Sequence, residues 1–449
     1  MKIDFVSTVL LFIYSLPFSA LHAQELPIQI EAGETIQVSL DGADIPHFEP
    51  HLAVNPTDPD NMIAASMALP EAGQGHTVRV YTSFDGGRTW SYQALDTTPV
   101  YGGDPWLTFG PDGTAFFLHL PGIVRRSTDG GRTWSPPVHL PRGAARAERK
   151  AGAFDYPKML TDQTAGPYSG RLYVVASQAD RLPSEAPVYP IALLRSLDGG
   201  KSFSFPVHLL PGNINYHIGA PVILADGTLL IPFQEITKRR GVFFDSPRLW
   251  MVRSEDGGKS FSIPFLMREN FQATSPHMAV DTTGGDFNNH VYAAWSTTDA
   301  YDFNLFLSVS VDRGENWSGP VRINDEIAHD YTQRPAVAVS EAGMVGLLWI
   351  DTRADSSARC FTPYFAISDD GGATIEKNTA LSDGPICNDT PANKIPFSES
   401  GTTVYERWSR GGDYFGLAPL PDGSFQALWA DSRTGVFQLW TTRIKVQVR

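Results

Sequence analysis

Seven segments of this 449-residue chain begin a short apolar run on an ionisable or small polar residue, most often just before a proline. They are Glu49-Pro50, Asp104-Pro105, Asp155-Tyr156-Pro157, His217 ahead of Ala220-Pro221, Ser275-Pro276, Arg334-Pro335 and Asp413-Tyr414. A second set closes the strands that follow: His119, Gln234 with Glu235, Asp351 with Arg353, and Asp431 with Arg433. Carboxylates dominate both sets. Gathered at one place, they suit cleavage of a glycosidic bond, in which one carboxyl gives a proton and a second acts as nucleophile or base. The candidate catalytic residues are therefore Glu49, Asp104, Tyr156, Tyr414 and Glu235. Arg334, Arg353, Arg433 and His217 are the candidate substrate-binding groups, because a guanidinium fork matches a sugar carboxylate. A polysaccharide lyase would use the same set differently, with Tyr156 or His217 as base and Arg334 neutralising a uronate. Trp349-Ile-Asp351-Thr-Arg353 and Trp429-Ala-Asp431-Ser-Arg433 repeat one motif, which equally fits an Asp–Arg brace in successive units.

The elements that must hold these residues come from an internal repeat. Six turns share one pattern, beginning with Ser83-Phe-Asp85-Gly-Gly87-Arg-Thr-Trp90 and Ser127-Thr-Asp129-Gly-Gly131-Arg-Thr-Trp134. The others centre on Asp198, Asp256, Asp312 and Asp370. The Asp can cap backbone N–H groups, the glycines can take positive φ, and the aromatic residue can tuck in beside the turn. Each turn follows one of the proline-led strands, with an aliphatic strand such as Val291–Trp295 between them. Each unit is thus about four short strands at a spacing of roughly 50 to 60 residues, the signature of propeller blades. A seventh unit without a box, Tyr414 to Trp440, has room for three strands; the alternating Thr35–Leu40 is expected to supply its fourth. The expected fold is all-β, a single seven-bladed propeller, with a six-bladed ring as the alternative.

Composition narrows the partners. The net charge of −14 and the lack of a basic stripe argue against nucleic acid and against an anionic membrane surface. No phosphate-cradling loop or metal-ligand spacing occurs, so no cofactor or metal is expected. Residues 1–23 read as a signal peptide, from the apolar run Val9–Tyr14 and the small residues around Ala23, leaving 24–449 as the propeller domain. A secreted or periplasmic monomer acting on a glycan is the expectation. In such a compartment Cys360 and Cys387, the only cysteines, are expected to form one disulfide.

The Ser-x-Asp-x-Gly-x-Thr-Trp turns resemble the Asp-box, or BNR, repeats, and nearly the whole chain resembles the sialidase-like β-propeller superfamily. That resemblance implies boxes on the rim, away from the active face. For a sialidase it implies three arginines on the substrate carboxylate, a Tyr–carboxylate nucleophile and an Asp acid/base. The sequence departs from this pattern at His47-Phe48-Glu49-Pro50, where Glu49 stands in place of the first arginine. A glycan- or protein-binding propeller without catalysis is the remaining alternative.

Overall fold

The computed structural model describes residues 28–448 apart from 71–74, 96–101, 142–153, 179–189, 211–214, 240–241, 270–272, 274–275, 298–303, 327–334, 358 and 398–400. The proposed signal peptide, Ser275 and Arg334 therefore lie outside the described residues. Seven antiparallel sheets form a seven-bladed β-propeller. Each blade is a meander, and the first strands of successive blades line the axis. Those first strands are His47–Asn55, Trp106–Phe109, Phe154–Thr161, Asn215–Ile218, His277–Val280, Ala336–Val339 and Gly416–Pro419, for blades one to seven. The second strands are buried along their length, as in Val291–Ser296 and Val345–Asp351. Apolar side chains from adjacent blades pack between the sheets, for example Tyr173 and Leu193 of blade three with Leu229 and Phe233 of blade four.

All six box turns are built alike. The Ser hydroxyl is the hub: Ser196 Oγ donates to Asp198 and accepts from the Gly200 N–H at 2.8 Å in each case. Asp198 then accepts the backbone N–H groups of Lys201 and Ser202 and the Ser202 hydroxyl. Where the box ends in Trp, the indole can close the turn, as Trp90 Nε1–H does on the Gly87 carbonyl at 3.0 Å.

Ring closure differs from expectation in where the outer strand begins. Ile28–Ala32 pairs antiparallel with the last strand, Gln438–Val448, and supplies the fourth strand of blade seven. Within Thr35–Leu40 only Ile36–Gln37 joins the same strand, as a short continuation. Ile28–Ala32 alternates as well as the later segment does and matches the far half of the 11-residue final strand. At Leu40 the chain turns into a 3₁₀ helix instead.

Blades six and seven are joined by a long insertion fixed at both ends. Cys360 and Cys387 are joined by a disulfide. Asn388 accepts the Ser432 N–H, and Asn393 accepts the Phe437 N–H, which docks the insertion on blade seven. A one-turn helix, Val404–Arg407, is held by a capping box between Thr403 and Glu406. Trp408 then stacks on Phe48 of blade one, ring centroids 4.2 Å apart. Among the described residues no helix is long and apolar enough to cross a membrane.

Candidate active site

The prolines that open the inner strands mark a backbone anomaly. Glu49, Asp104 and Tyr156 each precede a proline and each has positive φ, at 56°, 45° and 49°. A side chain in that region, before proline, is strained and persists only where the surroundings impose it. Pairing is broken at the same places, between Phe48 and His51 and between Asp155 and Lys158. Bulges of this kind re-aim side chains. Residues of blades seven, one, two, three and four meet at this end of the channel.

At that end four carboxyls gather: Glu49, Asp104, Asp155 and Asp413. Glu49 is only 3% exposed. Its Oε2 accepts the Asp413 N–H at 2.7 Å, and its own N–H donates to the Gly411 carbonyl. This contact needs Gly412, since a Cβ there would stand 2.5 Å from the Glu49 nitrogen. Burial first, then the charges of Asp413 and Asp104, push the Glu49 carboxyl well above the ordinary range. Burial and the neighbouring Asp155 push Asp104 up to about 6, against the opposing pull of Lys158. Asp155 is raised mainly by burial.

Aromatic and cationic groups fill the spaces between. The Tyr156 hydroxyl donates to Asp413 Oδ2 at 3.5 Å, and its ring lies 6.0 Å from His217. Tyr414 is buried and its phenol is raised well above its usual value, first by burial and then by the surrounding acids. It therefore stays protonated and can donate. Lys158 Nζ lies 4.2 Å from the ring centres of both Trp106 and Tyr414. Trp106 is also met by His51, 4.1 Å away. The Leu107 N–H donates to His51 Nδ1, and burial with Lys158 lowers the imidazole to about 3, so His51 is neutral.

Of the residues singled out in the sequence, Glu49, Asp104, Tyr156, Tyr414 and His217 come together here. Glu235 does not join them: it sits at a bulge after Gln234, where its charge acts on Tyr216. Arg353 and Arg433 are not offered to a ligand carboxylate, contrary to the expectation for them. The Arg353 side chain is 5% exposed; it pairs with Asp351 and Asp325 and lies over the Tyr364 ring. Arg433 pairs with Asp431 over the Trp440 ring. Their repeated motif is a brace, and in blade six it reaches blade five through Asp325.

Lys158 and Arg407 were not singled out from sequence, and Asp155 and Asp413 were named only as strand-opening residues. Lys158 was legible in one respect. It is the residue after the blade-three proline, and the same offset gives His51 and Trp106 in blades one and two, the groups stacked beside it. Arg407 lies on the insertion helix; its charge lowers both Glu49 and Asp155. A cavity of about 680 Å³ opens at the opposite, Asp-box end of the channel. It is lined by turns such as Asn55-Pro56, Thr282-Thr283 and Pro419–Pro421. The carboxyl cluster is not part of it.

Residues 123–325 match the BNR repeat-like domain model. No curated protein sequence matches the chain. A Dyadobacter fermentans protein of unknown function has a similar structure, with TM-score 0.52, 13% identity, and coverage of 93% of this chain and 99% of that one. The leech intramolecular trans-sialidase aligns at TM-score 0.46 and 15% identity, covering 93% of this chain and 70% of that one. The α-L-arabinofuranosidase of Fusarium graminearum aligns at 0.45 and 14%, covering 76% and 91%. The chain is a seven-bladed β-propeller with six box turns, and residues 123–325 are the part that resembles the BNR repeat-like domain. At these identities the likeness concerns the fold.

Proposed function

We propose that the protein is an exported glycoside hydrolase whose reaction takes place at the carboxyl cluster. The observation that carries this reading is the pair Glu49 and Asp104 on adjacent blades, two acids in one field with unequal environments. Burial and the neighbouring acids favour the protonated form of Glu49, whereas the charge of Lys158 pulls Asp104, at about 6, back toward the anion. That is the division of labour glycosidic cleavage needs: a proton for the leaving oxygen and an anion for the sugar carbon or a water. Tyr156, hydrogen-bonded to Asp413, is a second nucleophile of the tyrosine–carboxylate type. Tyr414 donates a hydrogen bond. An acidic sugar, sialic or uronic, would place its carboxylate toward Arg407, which is exposed at the rim of the cluster. The disulfide suits an oxidising compartment, in keeping with export.

The test is a screen of the purified protein against fluorogenic sialosides, glucuronides and arabinofuranosides, with uronate-containing polysaccharides assayed for an unsaturated product. Release of the sugar from one glycoside, lost in Glu49→Gln, is expected. An unsaturated product would make the protein a lyase. Glycan binding without turnover, unchanged in that variant, would make it a binding module.

A further inference from the structure

A lysine is rarely buried without compensation, because its compact ammonium is strongly hydrated. Lys158 is 3% exposed, at the centre of the carboxyl cluster. Two aromatic faces hold it, Trp106 from blade two and Tyr414 from blade seven, each at 4.2 Å, with Tyr156 on its own strand at 6.0 Å. Both contacts are of the cation–π kind, which gains strength when the cation is desolvated. Trp106 is itself backed by His51 on its other contact and meets Tyr414 edge-on at 6.0 Å. The ammonium is thus fixed in place by three blades, not left to find its own partner.

That placement is asymmetric toward the acids. Blade two contributes Asp104, two residues from Trp106; Lys158's own strand contributes Asp155 and Tyr156; blade one contributes Glu49 and neutral His51. Blade seven contributes Asp413 and Tyr414, blade four His217, and the insertion Arg407. The charge of Lys158 favours the ionised forms of Asp104 and Asp155, while the Asp413 N–H and Arg407 favour the ionised form of Glu49. We propose that Lys158 is a positioning residue that makes the acids unequal: clamped between Trp106 and Tyr414, it assigns the anionic role to Asp104 and leaves Glu49 as proton donor. The catalytic consequence rests on the hydrolase reading above; the assignment of charge does not.

The experiment is a carboxyl ¹³C NMR titration of the full-length protein labelled at Asp and Glu, with Asp104→Asn and Glu49→Gln identifying the two signals. In the wild type Asp104 titrates below Glu49. In Lys158→Met the Asp104 midpoint should rise by about one unit or more, with a smaller shift at Glu49, and Lys158→Arg should restore most of the difference. An Asp104 midpoint that stays put in Lys158→Met, or moves no more than that of Glu49, overturns the proposal. Should Lys158→Met fail to fold, the wild type labelled at lysine Cε decides. The signal missing from Lys158→Arg should show a step at the Asp104 midpoint, and a flat signal overturns the proposal. Given a substrate, the acidic limb of kcat should move up in pH by the same amount with KM little changed. An inactive wild type would sink the hydrolase reading alone, and an unmoved Asp104 in an active enzyme would sink this one alone.

Discussion

The two ends of this propeller use one residue type in opposite ways. On the box end, Asp198 and its equivalents are exposed or half-buried and surrounded by donors. Partial burial would raise Asp198, but hydrogen bonds from Ser202, Ser196 and the Lys201 N–H outweigh it and bring the carboxyl down to about 2. At the other end the carboxyls of Glu49 and Asp104 are desolvated, face other acids and are pushed up. The backbone differs in the same sense. Glycines carry positive φ at the box turns, at 67° for Gly199 and 71° for Gly257, whereas at the mouth Glu49, Asp104 and Tyr156 carry it. The box end meets its positive φ mostly with glycine and its carboxylates with donors; the other holds unfavourable charge and strained backbone together. Strain of that kind is kept where it serves a site, and the contrast separates scaffold from chemistry without reference to any relative.

The largest effect that could break this contrast is on turnover. Glu49→Gln and Asp104→Asn should each lower kcat by about 10²–10⁴-fold, with KM little changed, because a proton donor or its anionic partner is lost. Neither should unfold the protein. Asn also tolerates positive φ better than most residues, so Asp104→Asn removes the charge without adding backbone strain. Steady-state kinetics alongside circular dichroism checks both halves. Full activity in both variants would end the assignment of the mouth as the site.

Next in size is the opposite response of the two ends to pH. Asp104 is raised in the folded state, so its contribution is fully present below the ordinary Asp range and is lost as pH rises through about 6. The loss by pH 7 is on the order of 3 kcal/mol. Asp198 and Asp129 are lowered to about 2, so their contributions are present at neutral pH and are lost as pH falls from about 4 toward 2. The Asp104 share of the urea midpoint should therefore fall as pH rises through about 6, and the box share should fall below about pH 4. Both are superimposed on the rise between about 3 and 6.5 that buried neutral His51 supplies. The alkaline fall should shrink in Asp104→Asn while the acid fall remains. If Asp104→Asn leaves the alkaline side unchanged, the carboxyl is not held in an unfavourable environment.

A smaller effect is expected from a single box. Asp198→Ala removes one capping carboxylate and should cost about 1 kcal/mol, lowering the thermal midpoint while the folded fraction keeps its specific activity. A loss of kcat in that variant would mean the ends are coupled.

How much of this was legible in the sequence follows the same division. The box turns are local: every donor to Asp198 lies within four residues, so the motif spells out the turn and the repeat spells out the blades. The mouth is assembled from residues hundreds of positions apart, as in Tyr156 with Asp413. The pre-proline positions Glu49, Asp104 and Tyr156 could still be found, because each blade returns its first strand to the axis. Arg353 and Arg433 read two ways, since the repeated Asp-x-Arg spacing fits a brace as well as a ligand site, and Asp351 and Asp431 are found to hold them. Lys158 was passed over because a lysine in an inner strand reads as a solvated side chain. Only the stacking of His51, Trp106 and Lys158 across three blades shows otherwise. The outer strand of blade seven was misplaced because two alternating segments compete for one edge, and pattern alone does not choose between them.

The smallest prediction concerns the one box that breaks the glycine rule. In the fifth unit Arg313 occupies the position held by Gly86, Gly130, Gly199, Gly257 and Gly371 elsewhere, and it takes φ 66°. Its guanidinium pairs with Asp226 and bonds Thr228 Oγ1 at 3.1 Å, an exposed contact worth little. Both Arg313→Gly and Arg313→Ala lose that contact, but only glycine removes the strain of the left-handed backbone. Arg313→Gly should therefore be more stable than Arg313→Ala by about 0.5–1 kcal/mol, against the usual preference for alanine. Neither should change turnover. Tyr156 has nearly the same φ at the mouth, and Tyr156→Gly should relieve the same strain yet abolish activity. If alanine proves as stable as glycine at 313, positive φ carries no measurable cost in this fold, and strain ceases to distinguish the mouth from the rim.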